Sequence, residues 1–324
     1  MSAAPDEHPA RAFCRALDIR YPLVQGGMTF GSDGRLVAAV SEAGGLGTLG
    51  TFHYRTHEEV KAQLERIRAA TSRPFSVNVP FFEQSFALVE RLAREDGVRT
   101  FTLGGWFSEP MARLKEELGL TVLVSVNAPT VARMVAERPY DALIVQGNES
   151  GGANSHYATE QLFDLVRPVA RPGAPILWAG GQWDGGDLLR ALLRGAAGAQ
   201  LGTRFFFAEE SPLHPSIKAQ VLESHQKRPV TTALTPVNDT LSMRFITNKA
   251  FKAALRQGEI EEIFQDKERV FSLSQAYFEE SARPLLLYAG TGVYKLRAIQ
   301  PCREIVDEIV REYNELAARR LPAL

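Results

Sequence analysis

The chain has 324 residues, of which 45% are hydrophobic and 23% are charged, the composition of a globular protein rather than a disordered one. Its 37 Lys and Arg residues nearly balance 38 Asp and Glu residues, and the net charge of −1 supplies no general attraction to nucleic acid or to an anionic membrane. We therefore expect neither as a partner. The length is compatible with one large domain, such as an α/β barrel of about 250 residues, or with two medium domains.

Cysteine usage and the N-terminal segment favour a reducing compartment. The two cysteines, Cys14 and Cys302, lie near opposite ends of the chain and outside any CxxC motif. No pair of histidines has acidic or cysteine neighbours at metal-ligand spacing, so we expect no metal site. The first residues, MSAAPDEHPARAF, lack the apolar core of a secretion signal, and no segment reaches the roughly 20 apolar residues of a membrane span. We expect a soluble, cytoplasmic protein.

Short apolar, β-branched runs recur along the first two thirds of the chain, and six of the eight end at Gly, Asn or Pro. Successive runs begin 20 to 33 residues apart, which leaves room for a strand, a loop and a helix in each unit. Such alternation is typical of βαβ units and a parallel sheet. The eight runs are 22–27, 44–51, 74–80, 98–105, 121–127, 141–148, 174–181 and 198–205.

The segments between these runs have helical patterns. Residues 57–71 place Val60, Leu64 and Ile67 on one face, and segments 85–97 and 109–119 both end at a Gly that can follow a helix. A further helix is predicted over 184–198, with Asp184 as its N-cap. Eight near-equal units favour a closed (β/α)8 barrel, and a doubly wound open sheet is the alternative.

The regular recurrence of strand-like runs stops after Phe207. Residues 209–284 carry helix-like sequences, which predict a helical insertion or second domain that covers the substrate at one end of the barrel. The amphipathic segment 302–321 is then predicted to be the last barrel helix. The expected organisation is a barrel formed by 11–208 and 285–324, with a helical region at 209–284.

Chemistry in a barrel collects at the carboxyl ends of the strands. Here the run ends are rich in Gly and carboxamides and poor in charge, which suits a flat, polar heterocycle that carries an anion. The seventh and eighth runs end in Gly180-Gly181 and Gly202-Thr203, where backbone N–H groups at helix starts predict a phosphate site. The alternative is that these glycines only form tight turns.

Several other side chains are candidates for contact with a ligand. His156, in the Gly-rich loop after the sixth run, suits a general base or a substrate ligand, and the alternative is a solvent-exposed histidine. Three tryptophans at or beside strand ends could line an apolar pocket or pack in the core. Four cationic side chains could bind an acidic substrate or simply be solvated at the surface. The tryptophans are Trp106, Trp178 and Trp183, and the cations are Arg204, Lys218, Arg244 and Lys249.

The chain resembles the nitronate monooxygenase family of FMN-dependent (β/α)8 enzymes. The matching stretches are YPLVQGGM (21–28), VSEAGGLGTLG (40–50), PFSVNVP (74–80), VQGNESGG (145–152), 178–205, ESPLHPSIK (210–218) and 289–306. The resemblance implies FMN as cofactor, and oxidation of a nitronate or similar carbanion-like small molecule with O2. It does not settle the oligomeric state, for which a homodimer is one option.

The resemblance also implies which residues bind FMN. Those placed against the flavin are Gln25, Gly26, Gly27, Met28, Asn78 and Gln146, and those around the phosphate end are Gly151, Gly152, Gly180, Gly181, Gly202 and Thr203.

Two positions depart from the family pattern. Ala153 follows Glu149-Ser150-Gly151-Gly152, where the family usually has a His that acts on the substrate, and Ser125 lies near a position where some relatives have Lys. Asn154 and His156 are therefore the catalytic candidates in that loop. The loss of the His leaves two alternatives open: a flavin-dependent reductase of an enoyl thioester or another secondary-metabolism flavoenzyme, and a flavin-binding protein without catalysis.

Overall fold

The computed structural model describes residues 8–80, 84–236, 242–280 and 282–319. Its strands are β1 (Leu23–Gln25), β2 (Gly47–Gly50), β3 (Phe75–Pro80), β4 (Thr100–Gly104), β5 (Thr121–Val126), β6 (Ala142–Gln146), β7 (Gly152–Asn154), β8 (Ile176–Ala179), β9 (Gly198–Leu201), β10 (Thr232–Pro236) and β11 (Ser242–Ile246). Its helices are α1 (Pro9–Leu17), α2 (Gly34–Glu42), α3 (His57–Ala70), α4 (Ser85–Arg94), α5 (Glu109–Leu118), α6 (Pro129–Val135), α7 (Thr159–Val166), α8 (Gly185–Leu193), α9 (Thr203–Phe206), α10 (Pro215–Lys227), α11 (Lys249–Gln257), α12 (Glu259–Gln265), α13 (Lys267–Gln275) and α14 (Cys302–Arg319), with 3₁₀ turns at Ala276–Phe278 and Thr291–Lys295.

Eight parallel strands form the barrel and confirm the predicted (β/α)8 fold. Their order is β1-β9-β8-β6-β5-β4-β3-β2, and a parallel bridge between Val24 and Leu46 joins β1 to β2 and closes the ring. Each barrel strand lies within one of the eight predicted runs. These short runs are buried and apolar because a parallel sheet covered by helices has no solvent face.

Local signals set the helix ends. Thr56 and Glu59 form a capping box at the start of α3, and Asp184 and Asp187 form another at the start of α8. Helix α5 ends at Gly119, whose φ of 63° is the left-handed conformation that glycine accepts without strain. Among the helices of the described residues, none has the length and apolarity needed to cross a membrane.

The helices at the two ends of the chain complete the barrel. Helix α1 packs Phe13 and Leu17 against buried residues at the amino ends of the strands, such as Leu46 and Leu177. Helix α14 packs Ile305 and other buried residues between α8 and α2, the position of the eighth barrel helix. The predicted C-terminal helix is thus confirmed as far as Arg319, and residues 320 and 321 lie outside the described residues.

The region 209–284 differs from the prediction that it is entirely helical. Helices α10 to α13 are present, but β10 and β11 form an antiparallel hairpin, and β11 also pairs with β7 to give a three-stranded sheet. The helical interpretation of 242–246 was wrong because the segment is a strand between two others, β10, which precedes it in the chain, and β7, which lies far earlier. Such a pairing leaves little local trace in a five-residue segment.

Candidate functional site

A cavity of about 460 Å³ opens at the carboxyl ends of the barrel strands. Its size is that of a typical small-molecule site. The strand-end part is lined by Gly26, Gly27, Met28, Thr29, Asn78, Pro80, Thr102, Gly104, Ser125, Gln146, Ser150, Gly151, Gly152, Ala153, Ala179, Gly180, Gly181, Gln182, Gln200, Gly202 and Thr203. The remaining lining, which we call the roof, is Phe30, Gly31, Phe52, Phe206, Met243, Phe264, Val270, Tyr277, Tyr288, Gly290 and Gly292.

Most residues predicted to bind the cofactor line this cavity, and Gln25 does not. The Gln25 side chain is fully buried and bonds to the backbone of the neighbouring strand: Oε1 accepts from Thr48 N at 2.9 Å and Nε2 donates to Thr48 O at 3.0 Å. Its amide therefore holds β1 against β2 behind the cavity. The predicted residues that do line the cavity are Gly26, Gly27, Met28, Asn78, Gln146, Gly151, Gly152, Gly180, Gly181, Gly202 and Thr203.

The turn after β8 needs glycine at Gly180. Its φ is +128°, and a Cβ there would lie 2.4 Å from Thr159 Oγ1 and 3.2 Å from Ser150 Oγ. Thr159 cannot readily move away, because Glu149 Oε2 accepts from its N–H at 2.9 Å and from its hydroxyl at 2.6 Å. The exposed backbone of this turn thus lies in the cavity wall, where an anionic group can approach it.

The turn after β1 is equally tight. A Cβ at Gly27 would lie 2.5 Å from Asn78 Cβ, so this backbone packs directly against the Asn78 side chain. The next residue, Met28, has a φ of +35°, which is strained for a residue with a side chain and is typical of functional sites. Asn78 is held in turn by a bond from Nδ2 to Thr102 O at 3.1 Å.

Two carboxamides have different roles in the wall. Gln146 Nε2 donates to Ala153 O at 2.7 Å, and its Oε1 accepts from the Ser125 hydroxyl at 3.2 Å, so this amide ties the Gly-rich loop to the strand ends. Gln182, by contrast, has a buried Oε1 with no partner among the described residues. A buried acceptor without a donor is costly, and a ligand in the cavity would satisfy it.

The structure does not bring His156 and Asn154 to the cavity. His156 is exposed and is not part of the lining. Asn154 is buried behind the loop, where Nδ2 donates to Ser150 O at 2.5 Å and to Gly152 O at 3.2 Å. The residue of this loop that lines the cavity is Ala153, which has no group for proton transfer. The positions of these two side chains therefore do not support a direct role for either of them in acting on a substrate.

The cavity wall carries no formal charge. Among the described residues that line it, none is Asp, Glu, Lys, Arg or His. Of the four cations considered as substrate ligands, Lys249 is exposed, whereas Arg204 and Lys218 are buried. The expectation that each of these side chains is solvated at the surface is therefore wrong for Arg204 and Lys218. Arg204 bonds to Glu308 at 2.7 Å, and Arg244 donates from Nε to Asn148 O at 2.7 Å.

The roof, rather than the tryptophans, supplies the aromatic surface. Trp106, Trp178 and Trp183 are all buried outside the lining; Trp106, for example, donates to Val79 O at 3.1 Å. The roof aromatics come from the β1 and β2 loops, α9, α12 and the segment that follows α13. The sequence contained no local signal for them, since they converge from points up to 258 positions apart (Phe30 and Tyr288).

His53 lies next to this roof, and its burial leads us to predict that the free energy of unfolding depends on pH. Burial lowers the pKa of His53 to about 4, while its ordinary value is 6.5. Between these values the unfolded chain binds a proton that the native chain does not, so stability falls as pH drops from about 6.5 to about 4. We expect a loss of up to about 3 kcal/mol.

Urea unfolding of the wild type and His53→Gln between pH 7 and 4 measures this contribution. The difference in unfolding free energy between the two proteins should shift by the stated amount over that range. His156→Gln, which alters an exposed side chain, is the control and should parallel the wild type. A pH-independent difference between His53→Gln and the wild type would contradict the prediction.

Comparison with known proteins agrees with this architecture. The family model for nitronate monooxygenase matches residues 11–96 and 85–312. A (3aS,4S,5R,7aS)-5-hydroxy-7a-methyl-1-oxo-octahydro-1H-indene-4-carboxyl-CoA dehydrogenase of Mycobacterium tuberculosis is 37% identical over 211 residues, which is 64% of this chain and 59% of that protein. The chain thus spans less than two thirds of this relative's length. A probable nitronate monooxygenase of Staphylococcus haemolyticus is 28% identical over 293 residues, covering 76% of this chain and 80% of the relative.

Among solved structures, FabK from Thermotoga maritima superposes with a TM-score of 0.82 and 28% identity, covering 95% of this chain and 97% of that chain. The match of the family model over most of the chain, together with the closed barrel and its strand-end cavity, shows that this chain belongs to the nitronate monooxygenase family of oxidoreductase enzymes.

Proposed function

We propose that the chain is an FMN-dependent oxidoreductase whose cofactor lies in the strand-end cavity. Three observations support the fit. The cavity is about 460 Å³, its wall includes glycine turns that bring bare backbone to the surface, and Gln182 Oε1 is a buried acceptor with no partner in the described part of the chain. Family membership independently supports a flavin.

The protein groups divide between the two ends of such a cofactor. Gly180, Gly181, Gly202 and Thr203 would hold the phosphate through the backbone of two neighbouring turns, since none of the lining residues that the structure describes is basic. Gly26, Gly27, Met28, Asn78 and Gln146 would hold the ring system. FMN, when bound, supplies hydride and single-electron chemistry, and the protein supplies orientation and polarity.

The wall favours an uncharged, apolar acyl group, and we propose as the substrate class an enoyl thioester whose acyl part enters the cavity. The observation that carries this proposal is the lining itself, in which an aromatic roof faces neutral strand ends and the described residues include no cation. An anion would lose its hydration there without gaining a charged partner, whereas an acyl chain would gain apolar contacts. The dehydrogenase of a carboxyl-CoA among the relatives supports the thioester class.

Oxidation of a nitronate with O2 is the second candidate. The family model and the Staphylococcus relative favour it. A nitronate already has carbanion character, so its oxidation would not require the base that Ala153 fails to supply. The neutral wall weighs against it, because the nitronate anion would depend on backbone dipoles alone.

Anaerobic spectroscopy of the FMN-loaded protein separates the two candidates. We expect NADH or NADPH to bleach the flavin absorption and trans-2-decenoyl-CoA to restore it. An alkyl nitronate should bleach it at least about tenfold more slowly. Rapid bleaching by nitronate, with no reduction by either nucleotide, would overturn the thioester proposal, and a protein that takes up no FMN would overturn both.

A further inference from the structure

Tyr288 is a roof residue, and the residues that follow it in the chain lie against the Gly-rich loop. Its backbone forms an antiparallel bridge with Phe245 of β11, and the following residues cross the loop closely: Thr291 N donates to Glu149 O at 2.8 Å. A Cβ at Gly151 would lie 2.8 Å from the carbonyl carbon of Ala289. Tyr288 therefore reaches the cavity beside the loop that carries Ala153, from a separate part of the chain.

The Tyr288 phenol is available, whereas the neighbouring phenol is not. The Tyr277 hydroxyl donates to Leu286 O at 2.7 Å and accepts from Tyr288 N at 3.3 Å, so it acts as a structural link. Within the described ranges, the Tyr288 hydroxyl makes no hydrogen bond to another residue. Its ring packs against Phe245, with centroids 5.0 Å apart, which leaves the hydroxyl as the polar group of an apolar surface.

We propose that Tyr288 is the catalytic proton donor of this site, delivering the phenolic proton to the α-carbon of an enoyl thioester. The inference rests on the function proposed above. The nicotinamide nucleotide is the reductant, and FMN, when bound, would supply the hydride that the β-carbon gains. The α-carbon then forms its new C–H bond as the Tyr288 O–H bond breaks, and water entering by the cavity mouth reprotonates the phenolate.

The protonation state of this phenol suits a donor rather than a base. Burial raises the pKa of Tyr288 above its ordinary value of 10, so the hydroxyl keeps its proton at neutral pH. A phenol in that state can donate a proton to a developing carbanion but cannot abstract one from a saturated thioester. The raised pKa makes the phenol a weak acid, so the donation depends on the strong basicity of the developing carbanion, and the phenol takes the proton-transfer role that Ala153 cannot fill.

Tyr288→Phe tests the proposal in the FMN-loaded enzyme, with Tyr294→Phe, on an exposed ring outside the cavity, as the matched control. Stopped-flow absorbance separates flavin reduction by NADPH from its reoxidation by trans-2-decenoyl-CoA. We expect Tyr288→Phe to leave the first step within about twofold of wild type and to slow the second by about 100-fold or more. In D2O, NMR of the product should show one α-carbon configuration for wild type and a mixture for Tyr288→Phe, because water then delivers the proton to either face.

The outcomes distinguish this proposal from the one on which it rests. If wild type reduces the thioester and Tyr288→Phe reoxidises at the wild-type rate with the same α-carbon configuration, the role of Tyr288 is refuted and the proposed function stands. If wild type is reduced by NADPH but transfers nothing to the thioester, the proposed function is refuted. Equal slowing of both half-reactions would mark Tyr288 as structural and would also refute its role as donor.

Discussion

Gly180→Ala is expected to weaken FMN binding by at least about 100-fold, which corresponds to about 2.7 kcal/mol. The alanine Cβ would meet Thr159 Oγ1 at 2.4 Å, and the φ of +128° is itself strained for any residue with a side chain. Relief requires the turn to move, and with it the backbone that would hold the phosphate. Quenching of FMN fluorescence on titration with the apoprotein measures the dissociation constant.

Gly173→Ala is the matched control for this prediction. Gly173 also has a positive φ, +76°, but a Cβ there would have no neighbour within 4 Å, and the residue lies outside the cavity lining. It should lower the unfolding free energy by about 1 kcal/mol through backbone strain alone and leave FMN affinity unchanged. Wild-type FMN affinity in a folded Gly180→Ala protein would show that the phosphate does not approach this turn.

Lys218→Met is expected to lower the unfolding free energy by about 3 kcal/mol, because three hydrogen bonds from a charged donor are lost. The Lys218 ammonium is buried and donates to three backbone carbonyls, Ala208 O at 2.6 Å, Ser211 O at 3.1 Å and Glu209 O at 3.2 Å. Methionine retains much of the aliphatic contact and removes these three bonds, while each carbonyl keeps one other donor: Ser211 N for Ala208 O, and Arg35 Nη2 for Glu209 O and Ser211 O. Urea denaturation followed by circular dichroism gives the value.

The same substitution at the exposed Lys227 of α10 should change stability by less than about 0.5 kcal/mol. The Lys218 contact also bears on the site, because the turn it holds follows α9, whose Thr203 and Phe206 line the cavity. The Ser211 hydroxyl donates to Phe206 O at 2.7 Å and fixes that turn to the helix. A Lys218→Met protein as stable as wild type would mean that water replaces the ammonium.

The barrel was predictable from the sequence because each of its strand–helix units is formed by residues that are close to one another in the chain. The centre of β5, Val122 to Val124, is apolar and buried because both faces of a parallel strand are covered, and a helix such as α3 carries its own capping box in Thr56 and Glu59. The hairpin of β10 and β11 was not predictable in this way. Its β11 strand completes its pairing with Gly152, Ala153 and Asn154, so the partner that stabilises it is distant in sequence.

The strand-end glycines of the site were likewise predictable, because backbone turns at Gly27 and Gly180 depend on the residue type itself. The roles of side chains at the same strand ends were not. Gln25 and Gln146 each end a strand, yet one is buried against Thr48 and the other lines the cavity. A shift of one residue along a strand reverses the direction of a side chain, and the sequence pattern leaves that register open.

The sequence alone therefore predicted the eight barrel strands, favoured the closed barrel, and indicated the glycine turns at its carboxyl end and the presence of Ala153 where the family resemblance implies a histidine. Only the tertiary structure decided what surrounds that alanine. It directed His156 to solvent and Asn154 behind the loop, and it placed Met243 opposite Ala153 and Tyr288 in the cavity lining. The physical reason is that the roof is formed by segments that are distant in sequence and come together only when the barrel has folded. Their contacts therefore produce no periodic pattern in the sequence.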